Sequence, residues 1–141
     1  MQVRDAMSSE VLVVGPEHTL RQAAQMMSER RIGSAVVVDP DSQGIGIMTE
    51  RDVLYAIGAG LDCDTERTAA HLTWDVVYAG PDWTLTDAAA AMARGGFRHL
   101  VVIEEGEVLG VISVRDIMRV WAQQRVPIGR TASEQGTEAQ V

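Results

Sequence analysis

Cysteine is almost absent from this chain: Cys63 is the single one in 141 residues. No internal disulfide can form, and a reducing, cytoplasmic compartment is the expectation. Basic residues are scarce as well, with 12 Lys+Arg against 20 Asp+Glu and a net charge of -8. Such a balance repels a polyanion and argues against a nucleic-acid binder, although a local basic spot could still hold one small phosphate. Aromatics make up only 4%. In so acidic a chain Trp74, Trp83 and Trp121 are expected at packing or interface positions rather than as a base-stacking platform. No apolar stretch nears membrane-spanning length, and the opening MQVRDAMSSE has no basic segment leading into an apolar run. Neither a membrane partner nor a secretory signal is therefore expected. What is present is 46% hydrophobic residues, enough at this length to bury a core without disulfide or metal.

The apolar residues are organised by a repeat. At an offset of 65, residues 13–38 (VVGPEHTLRQAAQMMSERRIGSAVVV) align without a gap to 78–103 (YAGPDWTLTDAAAAMARGGFRHLVVI) with nine identities. After a one-residue shift the match resumes, GIMTERD at 46–52 against GVISVRD at 110–116. Each copy opens on a β-branched run, Val11 to Val14 or Val76 and Val77, ended by a Gly-Pro turn signal. Thr19 with Gln22 three residues on has the pattern of a capping box, and Leu20, Ala23, Ala24 and Met27 follow at helical spacing. Thr84, Leu85, Ala88, Ala89 and Met92 repeat this. Two short apolar runs come next, Ala35 to Val38 and Ile45 to Met48, matched by Leu100 to Ile103 and Val108 to Ile112; each pair predicts a hairpin. A second helix is expected to open at Thr49 and at Ser113. Each half thus reads β-α-β-β-α. Its three-stranded sheet has an apolar face too small to bury alone, so the two copies should pack together as a pseudo-twofold pair of mixed α/β (α+β) class. The boundaries read from the repeat are 3–60 and 67–121. Residues 122–141, polar and aperiodic, are expected to form a disordered tail.

The Gly-Pro-x-x-Thr-Leu lead into the first helix, the apolar hairpin and Gly-x-x-Thr/Ser-x-x-Asp at the second helix resemble the cystathionine-beta-synthase (CBS) repeat family, over residues 3 to 121. The chain also resembles the short free-standing CBS-pair proteins of actinobacteria. The resemblance implies a Bateman module, two sheets face to face with helices outside, commonly stacked into a homodimer. It implies a regulatory role rather than an enzyme, and an adenosine ligand (AMP, ADP, ATP or S-adenosylmethionine, AMP-like foremost), with no cofactor required.

Thr49 and Ser113 place a hydroxyl, and Asp52 and Asp116 a carboxylate, at helix N-termini. Free backbone N–H groups there favour a phosphate, and a carboxylate can accept both hydroxyls of a ribose. Thr-x-x-Asp is equally an ordinary helix cap. In the family this Asp holds the ribose and the Thr or Ser lies near the phosphate. Glycine in the same motif would allow close backbone approach to a ligand. Arg98 and His99 resemble the basic pair that family members set against phosphates, an arginine fork beside a proton-dependent donor. Repeat 1 has Gly33 and Ser34 there, so two unequal clefts are expected: a better phosphate site grouping Arg98, His99, Ser113 and Asp116, and a weaker one with Thr49 and Asp52. Val11 and Val76 are expected to contact the base. Arg51 and Arg115 are expected to point into solvent.

Catalytic and metal readings have less support. Asp62, Cys63, Asp64 and His71 lack the paired spacing of a zinc site, and no Walker loop, zinc-hydrolase helix or nucleophile motif occurs. No catalytic residue and no metal site are expected. A ligand sensor acting on an unidentified target protein is the leading expectation; a ligand-free homodimeric scaffold or protein-interaction module is the alternative.

Overall fold

The computed structural model describes residues 1–41, 44–74 and 76–125. The first half contains β1 (Val13–Val14), α2 (Leu20–Arg30), β2 (Ser34–Asp39), β3 (Gly44–Thr49) and α3 (Glu50–Gly58), preceded by a short α1 (Val3–Ala6). The second contains β4 (Tyr78–Ala79), α4 (Leu85–Gly95), β5 (His99–Glu104), β6 (Glu107–Ser113) and α5 (Val114–Arg125). A single 3-10 turn, Thr68–Ala70, precedes it. The expected βαββα order is present twice. The first strands start later than the β-branched runs suggested, leaving Val11 and Val76 just outside β1 and β4. The last helix runs to Arg125, so residues 122–125, read as the start of a tail, are helical. Residues 126–141 of that expected tail lie outside the described residues.

Local chemistry explains the helix starts. Thr19 Oγ1 accepts from Gln22 N–H at 3.1 Å while Thr19 N–H donates to Gln22 Oε1 at 2.9 Å, and Thr84 and Asp87 form the same reciprocal pair. Each closes two of the four donors a helix N-terminus leaves open. Both helices end on a left-handed residue, Arg31 or Gly96.

Each sheet has three strands, β1-β2-β3 and β4-β5-β6, with the first pair parallel and the second antiparallel. Alternation along the central strands sends side chains to two different cores. Ala35 and Val37 meet Leu20, Ala23 and Met27 beneath the helices of the first half, and Leu100 and Val102 meet Ala88 and Met92 in the second. The intervening Val36 and Val101 join Ile47 and Val111 in a third cluster shared by the two sheets, flanked by Val11, Val76, Val38 and Ile103. The face-to-face sheets thus bury what neither half could bury alone. The shift between the halves is also explained. The second hairpin closes through Glu105 and Gly106, both at positive φ, the geometry of a tight two-residue turn, and carries a bulge after Val102. Its loop is two residues shorter and its strand one residue longer than in the first hairpin.

The segments leading into each repeat cross over, which the alignment did not reveal. Residues 1–8 pack on the second half: Val3 N–H donates to Trp83 O at 2.7 Å, Ser8 bridges Val111, and Val3 and Ala6 are buried in the second core. Residues 63–73 pack on the first half, where Thr68 N–H donates to His18 O, Thr73 bridges Ile47, and fully buried Thr68 donates its hydroxyl to Gly15 O at 2.8 Å. Among the described residues no helix is long and apolar enough to cross a membrane.

Candidate nucleotide cleft

The first turn of α3 follows β3 directly, so Thr49, Glu50, Arg51 and Asp52 come off the end of the sheet into a cleft of about 210 Å³. Its other walls are Ile47, Thr73, Val76 and Val77 on the apolar side and Gly96, Phe97, Arg98 and His99 from the turn between α4 and β5. The cleft therefore combines the helix N-terminus of the first repeat with the basic pair of the second. The expected grouping placed Arg98 and His99 with Ser113 and Asp116 in the better phosphate site; the Arg98 carbonyl does accept from Val114 N–H at 2.9 Å, and the Asp116 carboxylate acts on His99. His99 is the cross-strand partner of Ser113, but Arg98 and His99 line the Thr49–Asp52 cleft across the pseudo-twofold. Residues within one repeat are neighbours in sequence, whereas the cleft is made where the repeats meet.

Asp52 and Asp116 both cap their helices. Thr49 N–H donates to Asp52 Oδ2 at 2.8 Å, and Ser113 N–H donates to Asp116 Oδ2 at 2.8 Å. The ordinary capping role is thus real in both repeats, and each carboxylate keeps a second oxygen, Oδ1. Asp116 Oδ1 accepts from the Arg119 guanidinium at 2.8 Å; Asp52 Oδ1 has no hydrogen-bond partner among the described residues. Val76 lines the cleft, while Val11 lies half-buried beside the cluster between the sheets. Arg115 is exposed as expected; Arg51 instead is half-buried and lines the cleft.

Burial pushes the His99 imidazole below its ordinary pKa; the Asp116 and Glu50 carboxylates oppose this shift, and Arg98 and Arg115 reinforce it. A neutral imidazole is thus favoured, beside the exposed and permanently charged Arg98. Taking His99 as neutral, Arg51 and Arg98 balance Glu50 and Asp52, so the cleft carries no formal net charge.

The motif glycines have a different task from the one expected. A Cβ on Gly46 would meet Thr73 O at 3.0 Å, and one on Gly110 would collide with Ser8 O. They admit the crossing lead-in segments rather than a ligand. Sequence reading also missed Phe97, Thr73, Val77 and Glu50 as cleft residues. Glu50 and Phe97 adjoin motif residues and were within reach; Thr73 is placed only by the crossover. Among the described residues no group of three or more His, Cys, Asp or Glu converges as a metal site.

Two apposed βαββα repeats with a cleft at the sheet ends define a tandem repeat module. The CBS domain matches twice, at residues 3–59 and 69–123, and the chain belongs to this family. It is 37% identical over 120 residues to an uncharacterised 17.7 kDa protein of Acidianus ambivalens, covering 84% of this chain and 71% of that one. It is 34% identical to Hypoxic response protein 1 of Mycobacterium tuberculosis, covering 82% of each. A CBS domain protein of Pyrobaculum aerophilum, solved in complex with AMP, superposes with a TM-score of 0.75 at 25% identity, over 87% of this chain and 99% of that one.

Proposed function

We propose that this chain is a cytoplasmic regulatory sensor, not an enzyme, that binds an adenine nucleotide, AMP-like in charge, in the cleft between its repeats. The observation that carries this reading is the meeting of Thr49 and Asp52 with Arg98 and His99 in one cleft. Asp52 Oδ1 accepts the ribose hydroxyls; the α3 N-terminus, Thr49 and the Arg98 fork take the phosphate; the base slides against Ile47, Val76, Val77 and Phe97. The AMP complex of the Pyrobaculum relative supports the ligand class. About 210 Å³ lies below the roughly 300 Å³ at which ligand pockets typically begin. Nucleotide binding therefore displaces rim side chains, of which Arg98 and Arg51 are the long and flexible ones. Balanced formal charge gives no advantage to extra phosphates, so ATP should bind no tighter than AMP.

Calorimetry on ligand-stripped chain with AMP, ATP and S-adenosylmethionine tests this. Asp52→Asn keeps a capping oxygen but removes the charge, and should weaken AMP by roughly tenfold or more, as the loss of charge-assisted hydrogen bonds predicts. Arg98→Ala should weaken AMP and leave adenosine nearly unaffected. Absence of saturable binding to any of the three ligands would sink the sensor reading. The second reading, a homodimeric scaffold for an unidentified target protein, is favoured by the exposed apolar side chains Leu54, Ile57, Met118 and Trp121 on α3 and α5.

A further inference from the structure

The two capping aspartates differ in what holds their outer oxygen. Asp116 accepts from Ser113 N–H at 2.8 Å and Ser113 Oγ at 3.0 Å through Oδ2, and from Arg119 at 2.8 Å through Oδ1. Asp52 is held through Oδ2 alone, by Thr49 N–H at 2.8 Å and Oγ1 at 3.4 Å. In the repeat alignment Arg119 corresponds to Tyr55, which is exposed and has no positive charge to offer. We propose that a second ligand position lies at Ser113 and Asp116, the pseudo-twofold counterpart of Thr49 and Asp52, and that Arg119 is a latch on it: it occupies the Asp116 oxygen and cancels the charge that a ligand's vicinal diol would need. This rests on the adenosine-ligand reading and adds which cleft is selected and by which residue.

The geometry suits a latch rather than a structural pair. The Asp116 side chain is 13% exposed and that of Arg119 56%, so the carboxylate is largely buried while the guanidinium reaches it from solvent. An ion pair with so exposed a partner contributes at most about 1 kcal/mol, which is about fivefold in affinity. The latch sets a preference between clefts and yields to ligand at high concentration. At the carboxylate the difference lies at one position, because the remaining contacts of Ser113 and Asp116 repeat those of Thr49 and Asp52; Gly33 and Ser34 in place of Arg98 and His99 weaken the phosphate end of the counterpart separately.

The test is an NMR titration of the full 15N-labelled chain with AMP, in which the Thr49 and Ser113 amides report the two clefts. In the parent chain, Thr49 should shift at lower AMP than Ser113. Arg119→Tyr, which gives the second cleft the residue of the first, should lower the Ser113 midpoint about two- to fivefold. Arg119→Gln should do the same, showing that charge rather than the ring is responsible, and adding Asp116→Asn should cancel the gain. The Thr49 response serves as an internal control of folding. An unchanged Ser113 midpoint in both Arg119 variants, with Thr49 responding, overturns the latch and leaves the sensor reading standing. Silence of both amides in every variant overturns both.

Discussion

His99 is the cleft residue whose charge is most open to change at physiological pH. Because burial lowers its pKa in the folded chain, the unfolded chain takes up the proton first as pH falls. The stability tied to neutral His99 is therefore fully present above about pH 6.5 and is lost as pH falls through the folded pKa. His99→Gln should lose less stability than the parent between pH 7.5 and pH 5.5, measured by urea unfolding at each pH; equal losses would show that His99 does not titrate as its surroundings require. A bound phosphate acts in the opposite sense, drawing a proton onto the ring. AMP binding near pH 6 should then draw a proton onto His99, read as a dependence of the calorimetric enthalpy on buffer ionisation heat that shifts toward proton release in the glutamine variant, where only the AMP phosphate, with its own pKa of about 6, still exchanges a proton.

At the scale of elements, the parts that repeat were legible and the parts that only correspond were not. Thr19 and Thr84 announced two helices because a cap and a 3.6-residue apolar period lie within one turn of each other, and the hairpins followed from short apolar runs bounded by turn residues. Residues 1–8 and 66–73 occupy equivalent places with no identical residue between them, so the crossover was invisible. What the crossover selects is backbone proximity, and its trace in sequence is Gly46 and Gly110 rather than the segments themselves. The grouping of Arg98 with Asp52 was lost for a related reason: a pseudo-twofold joins motif to motif across the pair. The Ser8 carbonyl lies where a Gly110 side chain would start, so Gly110→Ala must push back the lead-in strand. A cost of about 1–3 kcal/mol is expected from such overpacking, visible as a lower urea midpoint. A variant as stable as the parent would mean that residues 1–8 are not held against β6.

The whole molecule spends its apolar surface on three internal clusters and still leaves large side chains outside. Leu54 and Ile57 on α3 and Met118 and Trp121 on α5 are each more than half exposed, and the repeat alignment pairs Leu54 with Met118 and Ile57 with Trp121. Two equivalent apolar stripes on the second helices suit an isologous contact, in which each copy offers the same patch. We therefore expect a homodimer in solution, twice the 15.3 kDa of the chain, and conversion of Leu54→Lys/Met118→Lys to the monomer mass by light scattering. Exposed positions of this kind usually change stability by no more than about 0.5 kcal/mol, so the double variant should keep its unfolding midpoint. A parent chain that runs as a monomer would remove the interface. Ligand and assembly are coupled only if AMP binds dimer and monomer unequally, since equal affinity shifts nothing. Dimer dissociation measured by dilution with and without saturating AMP decides this: a changed constant in the parent, but not in Asp52→Asn, makes the cleft a control on assembly. An unchanged constant makes the dimer a fixed platform, and the nucleotide signal must then travel through the faces around the cleft itself.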